Sequence, residues 1–293
     1  MSATTSSESA LSAAWSDLRR RGRTALIPYL TAGHPSLEVS LDALRRADEQ
    51  CDILEVGVPF SDPLADGPTI QRSTFEALQQ GMTLARALEL VERARLTKPV
   101  VIFSYLNPVW CYGVDRFLKD AADLGIAGLL LTDLPVGTDP AIERAVAQSP
   151  LDLIRLIAPT TTGPRLRQVV AGAEGFLYLV ARLGVTGATS ELWSGLDSYV
   201  RRIRAATKLP LAVGFGISTP EQATRVAGLA DGVVVGSELV RTLGQEGPAA
   251  AGRLLTALRT ALDAKDQARS SCAFRTDGGD DVPARRRDPG RAR

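Results

Sequence analysis

The segment Leu211-Ala-Val-Gly-Phe-Gly-Ile-Ser-Thr-Pro-Glu221 contains a short apolar run, a glycine turn and the start of a helix. The run from Leu211 to Phe215 has the unbroken apolar character of a parallel strand that is covered on both faces. The residues Ser218-Thr219-Pro220-Glu221 form a helix-start signal, with a hydroxyl residue as the cap and proline in the first turn. This segment therefore predicts one strand, one turn and one capped helix in succession.

The same succession recurs along most of the chain, because short apolar runs alternate with amphipathic stretches between residues 24 and 262. Eight such runs predict eight parallel strands and an α/β fold, a single (β/α)8 TIM barrel. An open, doubly wound sheet is the alternative, since the sequence alone does not show closure. The predicted strands are Ala25 to Thr31, Ile53 to Val58, Val100 to Ser104, Gly128 to Thr132, Leu151 to Ala158, Phe176 to Ala181, Leu211 to Phe215 and Gly232 to Val235.

The two ends differ from the middle of the chain. We expect residues 1–23 to be an N-terminal extension in which Leu11 to Arg20 form an extra helix that covers the barrel floor. The barrel is then predicted to span residues 24–263. Residues 264–293 include Arg285-Arg286-Arg287 among Asp, Gly and Pro, and this composition predicts a disordered, Arg-rich tail.

The overall composition favours a soluble, cytoplasmic protein. The net charge of +1 and the pI of about 7.7 give no general attraction to nucleic acid. No apolar stretch approaches the roughly 18 residues that span a bilayer, so we expect no membrane association. The cysteines Cys51, Cys111 and Cys272 are far apart and have no paired spacing, which predicts reduced thiols rather than disulfides or a zinc site.

Two carboxylates, Glu55 and Asp66, are candidate acid and base groups. They lie in residues 55–71, which read Glu-Val-Gly-Val-Pro-Phe-Ser-Asp-Pro-Leu-Ala-Asp-Gly-Pro-Thr-Ile-Gln. Strand alternation places Glu55 on one face with Ile53 and Gly57, and burial there would favour the neutral acid. Asp66 lies in the next loop, where hydrogen bonds and solvent would keep it ionised. An ion pair between Glu55 and an arginine, and a turn or cap role for Asp66, are the structural alternatives.

Three glycine-containing segments at the ends of late strands predict a phosphate site. Glycine allows a ligand to approach the backbone closely, and free N–H groups at a helix start bind an oxyanion. The loops after strands seven and eight are where TIM barrels often bind phosphate. Ordinary tight turns, or a cap role for Ser237, would also explain these residues. The segments are Gly184-Val185-Thr186-Gly187, Gly214-Phe215-Gly216-Ile217-Ser218 and Gly236-Ser237-Glu238.

Other catalytic strategies are disfavoured by residue type. None of the lysines Lys98, Lys119, Lys208 and Lys265 is placed at the carboxyl ends of the strands, where a Schiff base would be needed. The single histidine, His34, lies in a Gly-His-Pro turn and provides no cluster of metal ligands, so we expect no bound metal. The remaining option is carboxylate acid and base chemistry on a phosphorylated substrate.

With these residues assembled, the chain resembles the tryptophan synthase alpha subunit family from about Ala25 to Leu243. The most specific match is the segment from Glu55 to Gln71. The resemblance implies cleavage of indole-3-glycerol phosphate into indole and glyceraldehyde 3-phosphate, a retro-aldol reaction without a cofactor in this chain. Further matching segments are Asp133-Leu134-Pro135-Val136, Gly184 to Gly187, Gly214 to Ser218 with Pro220-Glu221-Gln222, and Gly236-Ser237.

The resemblance also implies roles for individual residues. Glu55 would be the proton shuttle, Asp66 would stabilise charge at the indole nitrogen, and Tyr178 would lie near the reacting hydroxyl. A buried core position is the structural alternative for Tyr178. Residues 182–189 resemble a loop that closes over substrate, in which Leu183 replaces a small polar residue. The implied substrate-binding residues are Tyr29, Tyr105 and Phe215 around the indole, Thr186 and Gly187 in that loop, and Gly216, Gly236 and Ser237 at the phosphate.

The family works with a beta subunit that carries pyridoxal phosphate, so the resemblance implies such a partner, in an α2β2 tetramer. The loops Pro59 to Pro68 and Asp133 to Val136 resemble the surfaces that meet it. A stand-alone lyase that releases free indole is the main alternative. A non-catalytic, phosphate-binding regulatory barrel is the second.

Overall fold

The computed structural model describes residues 8–180, 194–214 and 216–276. Within these residues, parallel strands close into one barrel in which each strand pairs with its neighbours along the chain and the last pairs with the first. The predicted TIM barrel is therefore confirmed, and an open sheet is excluded. The strands are β1 (Ala25–Thr31), β2 (Leu54–Gly57), β3 (Val100–Ser104), β4 (Gly128–Leu131), β5 (Asp152–Ile157), β6 (Leu177–Val180), β7 (Leu211–Gly214) and β8 (Gly232–Val235).

Helices surround the barrel, and more of them are present than one per strand. Two helices follow each of β2, β3 and β8, a doubling that the strand pattern did not predict. The predicted cap before the helix after β7 is confirmed, because Thr219 and Gln222 form a reciprocal capping box. The helices are α1 (Ala10–Arg20), α2 (Leu37–Gln50), α3 (Pro68–Gln79), α4 (Leu84–Ala94), α5 (Leu106–Tyr112), α6 (Val114–Asp123), α7 (Pro140–Ala147), α8 (Gly163–Ala171), α9 (Leu196–Arg204), α10 (Pro220–Ala227), α11 (Ser237–Glu246) and α12 (Pro248–Thr276).

The strands separate two apolar cores. Alternate residues such as Ile27 and Tyr29 belong to the core inside the barrel, whereas Leu26 and Leu30 belong to the core between the strands and the helices. This division follows from the two-residue period of strand side chains. It explains why the strand sequences are predominantly apolar, since both of their faces are buried.

The first helix covers the barrel floor, as predicted. The Trp15 ring packs against Phe176 with centroids 5.6 Å apart. It also fills space at Gly232, where an added Cβ would lie 2.8 Å from the Trp15 ring. Leu11 is fully buried and closes the floor beside Gly128, where an added Cβ would lie 2.9 Å from it.

The predicted tail begins too early. Helix α12 continues to Thr276, so residues 264–276, including Lys265, are helical rather than disordered. The reason is a buried contact between distant parts of the chain, in which the Asp266 carboxylate accepts hydrogen bonds from the Thr24 backbone N–H at 2.7 Å and the Thr24 hydroxyl at 2.8 Å. Residues 277–293 lie outside the described residues.

Three further sequence predictions concern membrane-spanning helices, cysteine thiols and the positions of the lysines. No helix in the described ranges is both long and apolar enough to cross a membrane. Cys51 and Cys111 are free thiols, the first buried and the second exposed, and the Cys272 side chain is outside the described part. The exclusion of a lysine Schiff base agrees with the positions of Lys98 and Lys208, which come just before β3 and β7, at the floor end.

Candidate active site

Glu55 points into the barrel from β2. It pairs in register with Tyr29 on β1 and Val101 on β3, and both of these side chains belong to the interior core. Its strand neighbours Leu54 and Val56 belong to the outer core instead. The predicted inward orientation of Glu55 is therefore confirmed, and the carboxyl group lies among apolar side chains.

The Glu55 carboxyl group is fully buried, and neither of its oxygens has a hydrogen-bond partner among the described residues. The alternative of a structural ion pair with an arginine finds no support in that part of the chain. Burial without a compensating charge raises the pKa of Glu55 to about 8. This carboxyl group is therefore mostly protonated at neutral pH and can act as an acid.

Asp66 is held in the loop between β2 and α3. Its backbone N–H donates to the Pro63 carbonyl at 3.0 Å, and the Gln71 side-chain amide donates to the Asp66 carbonyl at 2.9 Å. Asp66 is only 6% exposed, so its carboxylate is less solvated than predicted. Burial raises the pKa of Asp66 to about 6, with a hydrogen bond from Tyr105 acting in the opposite direction. Asp66 is thus mostly ionised at pH 7, as predicted.

Tyr105 connects to Asp66 in a way that the sequence did not reveal. Its hydroxyl group donates to Asp66 Oδ2 at 3.0 Å and accepts from the Ala65 backbone N–H at 2.9 Å. The ring lies 5.1 Å from that of Phe60, centroid to centroid. Tyr105 therefore fixes both the carboxylate and the backbone of this loop. The only sequence signal was a polar aromatic residue directly after a strand end, and contact of Tyr105 with indole remains a prediction.

Tyr29 and Tyr178 enter the chamber from β1 and β6, and each occupies space that a glycine leaves on the next strand. A Cβ at Gly57 would lie 2.0 Å from the Tyr29 hydroxyl, and one at Gly214 would lie 2.2 Å from the Tyr178 hydroxyl. Burial, with negative charge at Glu55 and Asp66 contributing, raises the pKa of both phenols well above the usual value. Both hydroxyl groups are therefore neutral and share one chamber with the two acids.

Two of the three predicted phosphate segments have described residues beside this chamber, Gly214 next to Tyr178 and Gly236 next to Tyr29, whereas residues 184–187 lie outside the described residues. Gly216 follows β7 with φ of +87°, a backbone conformation that favours glycine. Gly236 is the N-cap residue of α11, and no side chain caps that helix. Ser237 is the first helical residue, so it is not the cap that we considered. The uncapped N–H groups of this helix start are available to bind an anion.

Gly236 also adjoins the chamber, because an added Cβ would lie 3.5 Å from Tyr29 Cβ. The structure therefore brings Glu55, Asp66, Tyr105, Tyr29 and Tyr178 together with the start of α11. Several predicted site residues lie outside the described residues, so their positions remain predictions. These are Thr186 and Gly187, the segment 182–189 with Leu183, and Phe215.

His34 is a buried structural residue rather than a catalyst in this arrangement. Its Nδ1 atom lies 3.2 Å from Glu76 Oε2 on α3, and burial lowers the pKa of the imidazole. Among the described residues, no group of three or more potential metal ligands is present. The arrangement offers two carboxyl groups with different pKa values and a helix start that can bind an anion.

The model of one protein family, described as the tryptophan synthase alpha chain, matches residues 15–268. The chain is similar to the tryptophan synthase alpha chain of Citrifermentans bemidjiense, with 46% identity over 236 residues that cover 80% of this chain and 88% of the relative. It is also similar to that of Dehalococcoides mccartyi, with 44% identity over 222 residues, 75% of this chain and 87% of the relative.

Solved structures agree with these relatives. A chain of Mycobacterium tuberculosis tryptophan synthase superposes with a TM-score of 0.81 at 38% identity, covering 87% of this chain and 99% of that chain. Tryptophan synthase subunit alpha from Legionella pneumophila superposes with a TM-score of 0.80 at 33% identity, covering 88% of this chain and 100% of that chain. This chain belongs to the tryptophan synthase alpha chain family.

Proposed function

We propose that this chain catalyses the alpha reaction of tryptophan synthase, the retro-aldol cleavage of indole-3-glycerol phosphate into indole and glyceraldehyde 3-phosphate. The observation that carries the proposal is Glu55, a fully buried carboxyl group with a pKa of about 8 that has no hydrogen-bond partner among the described residues. A buried acid without a partner is costly, so it is expected where its proton is used.

The two acids divide the proton chemistry between them. Cleavage requires indole C3 to become tetrahedral, so Glu55 donates a proton to C3. Positive charge then develops on the indole nitrogen, and the ionised Asp66 accepts the hydrogen bond from that N–H and stabilises the charge. Glu55, now a carboxylate, accepts the proton of the side-chain hydroxyl as the bond from C3 breaks and the aldehyde forms. Tyr178 is assigned to the reacting hydroxyl group.

The remaining site residues hold the substrate. Gly216, Gly236 and Ser237 are assigned to the phosphate, and the support is the uncapped start of α11 beside the chamber. Tyr29, Tyr105 and Phe215 are assigned to the indole ring. Thr186 and Gly187 are assigned to a segment that closes over the substrate and excludes water.

A partner of the beta subunit type completes the proposal, since the family works with such a subunit. Two side chains support a docking surface on the catalytic side of the barrel. Leu64, in the loop after β2, is 88% exposed, and Trp110, in the helix after β3, is 61% exposed. Exposed apolar groups of this size are typical of protein interfaces. The loops Pro59 to Pro68 and Asp133 to Val136 would meet the partner in an α2β2 tetramer. Pyridoxal phosphate would be bound by the partner, and a cytoplasmic location remains a prediction.

The test is indole release from indole-3-glycerol phosphate by the purified chain, alone and with a beta subunit. We expect weak turnover alone and stronger turnover in the complex. Strong unaided turnover that the partner does not change would instead favour a stand-alone lyase.

A matched pair of variants tests the catalytic role. Glu55→Gln should abolish cleavage while substrate binding stays nearly normal, because the amide cannot transfer the proton. Glu89→Gln, an exposed glutamate on α4, should keep the parental rate. Near-parental kcat in Glu55→Gln would reject the assigned role. Absence of indole release by both the parent chain and its complex would instead favour a non-catalytic barrel.

A further inference from the structure

Arg155 on β5 is a charged residue between the apolar residues Ile154 and Leu156. It is 5% exposed, and all three nitrogens of its guanidinium group are used. Nη2 donates to Glu143 Oε2 on α7 at 2.8 Å, Nη1 donates to the Leu134 carbonyl at 2.9 Å, and Nε donates to the Gly172 carbonyl at 3.2 Å. One side chain therefore ties a strand, the loop after β4, the start of α7 and the end of α8 together.

Stability alone is a poor reason for this arrangement. Removing a guanidinium and a carboxylate from water is costly, and a well-packed apolar pair in their place is often as stable or more stable. Burial also lowers the pKa of Arg155, with Glu143 acting in the opposite direction. An apolar pair could not supply a directional hydrogen bond. The hydrogen bond from Arg155 to the Leu134 carbonyl, in the loop after β4, therefore indicates what the charged pair contributes.

That carbonyl belongs to Leu134, and the residue before it continues the contacts toward the active site. Asp133 Oδ1 accepts a hydrogen bond from the Leu106 backbone N–H at 2.7 Å. Leu106 directly follows Tyr105, whose hydroxyl group donates to Asp66 Oδ2 at 3.0 Å. We call this series the rim chain. It runs from within β5 through the segments that follow β4, β3 and β2 in order, and it consists of Arg155, Leu134, Asp133, Leu106, Tyr105 and Asp66.

We propose that Arg155, paired with Glu143, is a positioning residue for Asp66 and acts through the rim chain. The inference rests on the proposed role of Asp66 in catalysis. Arg155 holds the loop after β4, Asp133 of that loop holds the start of α5, and Tyr105 at that start holds the carboxylate. A shift of the loop by a few tenths of an ångström would lengthen the hydrogen bond from Tyr105 to Asp66, because the intervening links are short and directional.

The loop has a second anchor that offers a control. Arg165 on α8 donates from Nη1 to the Val136 carbonyl at 2.9 Å. Val136 lies on the side of Leu134 away from Asp133, so this contact is not part of the rim chain. A change at Arg165 removes one guanidinium contact from the same loop and leaves the contacts of Leu134 and Asp133 in place.

The experiment measures indole release by the full-length chain without a partner. The main variant is Arg155→Met with Glu143→Gln, which removes both charges and leaves no unpaired buried carboxylate. We expect kcat to fall about threefold to thirtyfold, the range of mutations that act through coupled contacts. KM should stay within about twofold, because Asp66 acts on charge that develops during the reaction. Arg165→Met should retain parental kcat.

A second variant protects the test against misfolding. Asp133 is exposed, so Asp133→Ala should fold normally and lower kcat in the same range. Combination with Tyr105→Phe then distinguishes a route through Tyr105 from an independent effect. If the rim chain acts through that hydroxyl group, adding either variant to Tyr105→Phe should lower kcat by less than about twofold further.

Each outcome decides the question. Parental kcat in Asp133→Ala, or in the folded Arg155 and Glu143 double variant, overturns the proposal. Losses that multiply fully with that of Tyr105→Phe also overturn it, because they would show an effect that bypasses Tyr105. Failure of the proposed function has a different signature, since the parent chain and its complex would then release no indole.

Discussion

The pH dependence of cleavage follows from the two acids and offers the sharpest test of their roles. Glu55 must be protonated and Asp66 must be ionised in the productive form. Because their pKa values are about 8 and about 6, this form is available only between those two values. Activity should be lost below pH 6 as Asp66 gains a proton, and above pH 8 as Glu55 loses one.

The expected profile of kcat/KM is therefore a bell centred near pH 7. With these two pKa values, about 80% of the enzyme is productive at the centre, and about 9% is productive one pH unit outside either limb. The profile should therefore fall roughly tenfold from pH 7 to pH 5 and again from pH 7 to pH 9. The measurement is the initial rate of indole release at low substrate across this range.

The phosphate group of the substrate also titrates near pH 6, so the acidic limb needs an internal control. The hydrogen bond from Tyr105 lowers the pKa of Asp66. Tyr105→Phe removes that bond and should move the acidic limb to higher pH, whereas titration of the substrate would not respond. The alkaline limb should stay in place. A profile that is flat from pH 7 to pH 9, or an acidic limb that Tyr105→Phe leaves unchanged, would refute the reasoning.

Three further predictions test the chamber, the phosphate site and the last helix. Gly57→Ala should lower kcat about tenfold or more, because the new Cβ would lie 2.0 Å from the Tyr29 hydroxyl. Adding Tyr29→Val should restore part of the rate. If the rate does not recover, a clash with Tyr29 is not the cause of the loss. Gly236→Leu should raise KM about tenfold while kcat changes less, since the phosphate is bound before and during the reaction. An unchanged KM would show that Gly236 does not contact the phosphate. Asp266→Ala should lower the free energy of unfolding in denaturant by about 3 kcal/mol, because two buried hydrogen bonds to Thr24 are lost. Asp263→Ala, at a side chain that is 41% exposed, should cost about 1 kcal/mol or less, and equal losses would contradict the assignment.

Much of the site was predictable because strand alternation and motif position are local properties. The inward orientation of Glu55 followed from its spacing to Ile53 and Gly57, and the structure confirms that orientation through the core that surrounds it. The start of α11 was predicted from glycine after a strand end. In contrast, the hydrogen bond of Tyr105 to Asp66 joins residues 39 positions apart, so no local pattern could have indicated it.

The error in the tail has the same origin. Residues 264–276 have little apolar periodicity, and for an isolated segment that pattern favours disorder. The folded chain places Asp266 against Thr24, which is 242 positions away in sequence, and the buried hydrogen bonds hold the helix in place. The contacts of Arg155 likewise could not be predicted from the sequence, because its partners Leu134, Glu143 and Gly172 come together only in the fold.

The sequence left closure of the barrel open, and by itself it determined the alternation of strands and helices and the face of β2 that bears Glu55. Each of these depends on residue spacing within about ten positions. Only the tertiary structure decided the environment of the two acids, the extent of α12 and the hydrogen bonds along the rim chain. The physical reason is that desolvation and buried hydrogen bonds depend on groups from distant parts of the chain, and these meet only when the barrel closes.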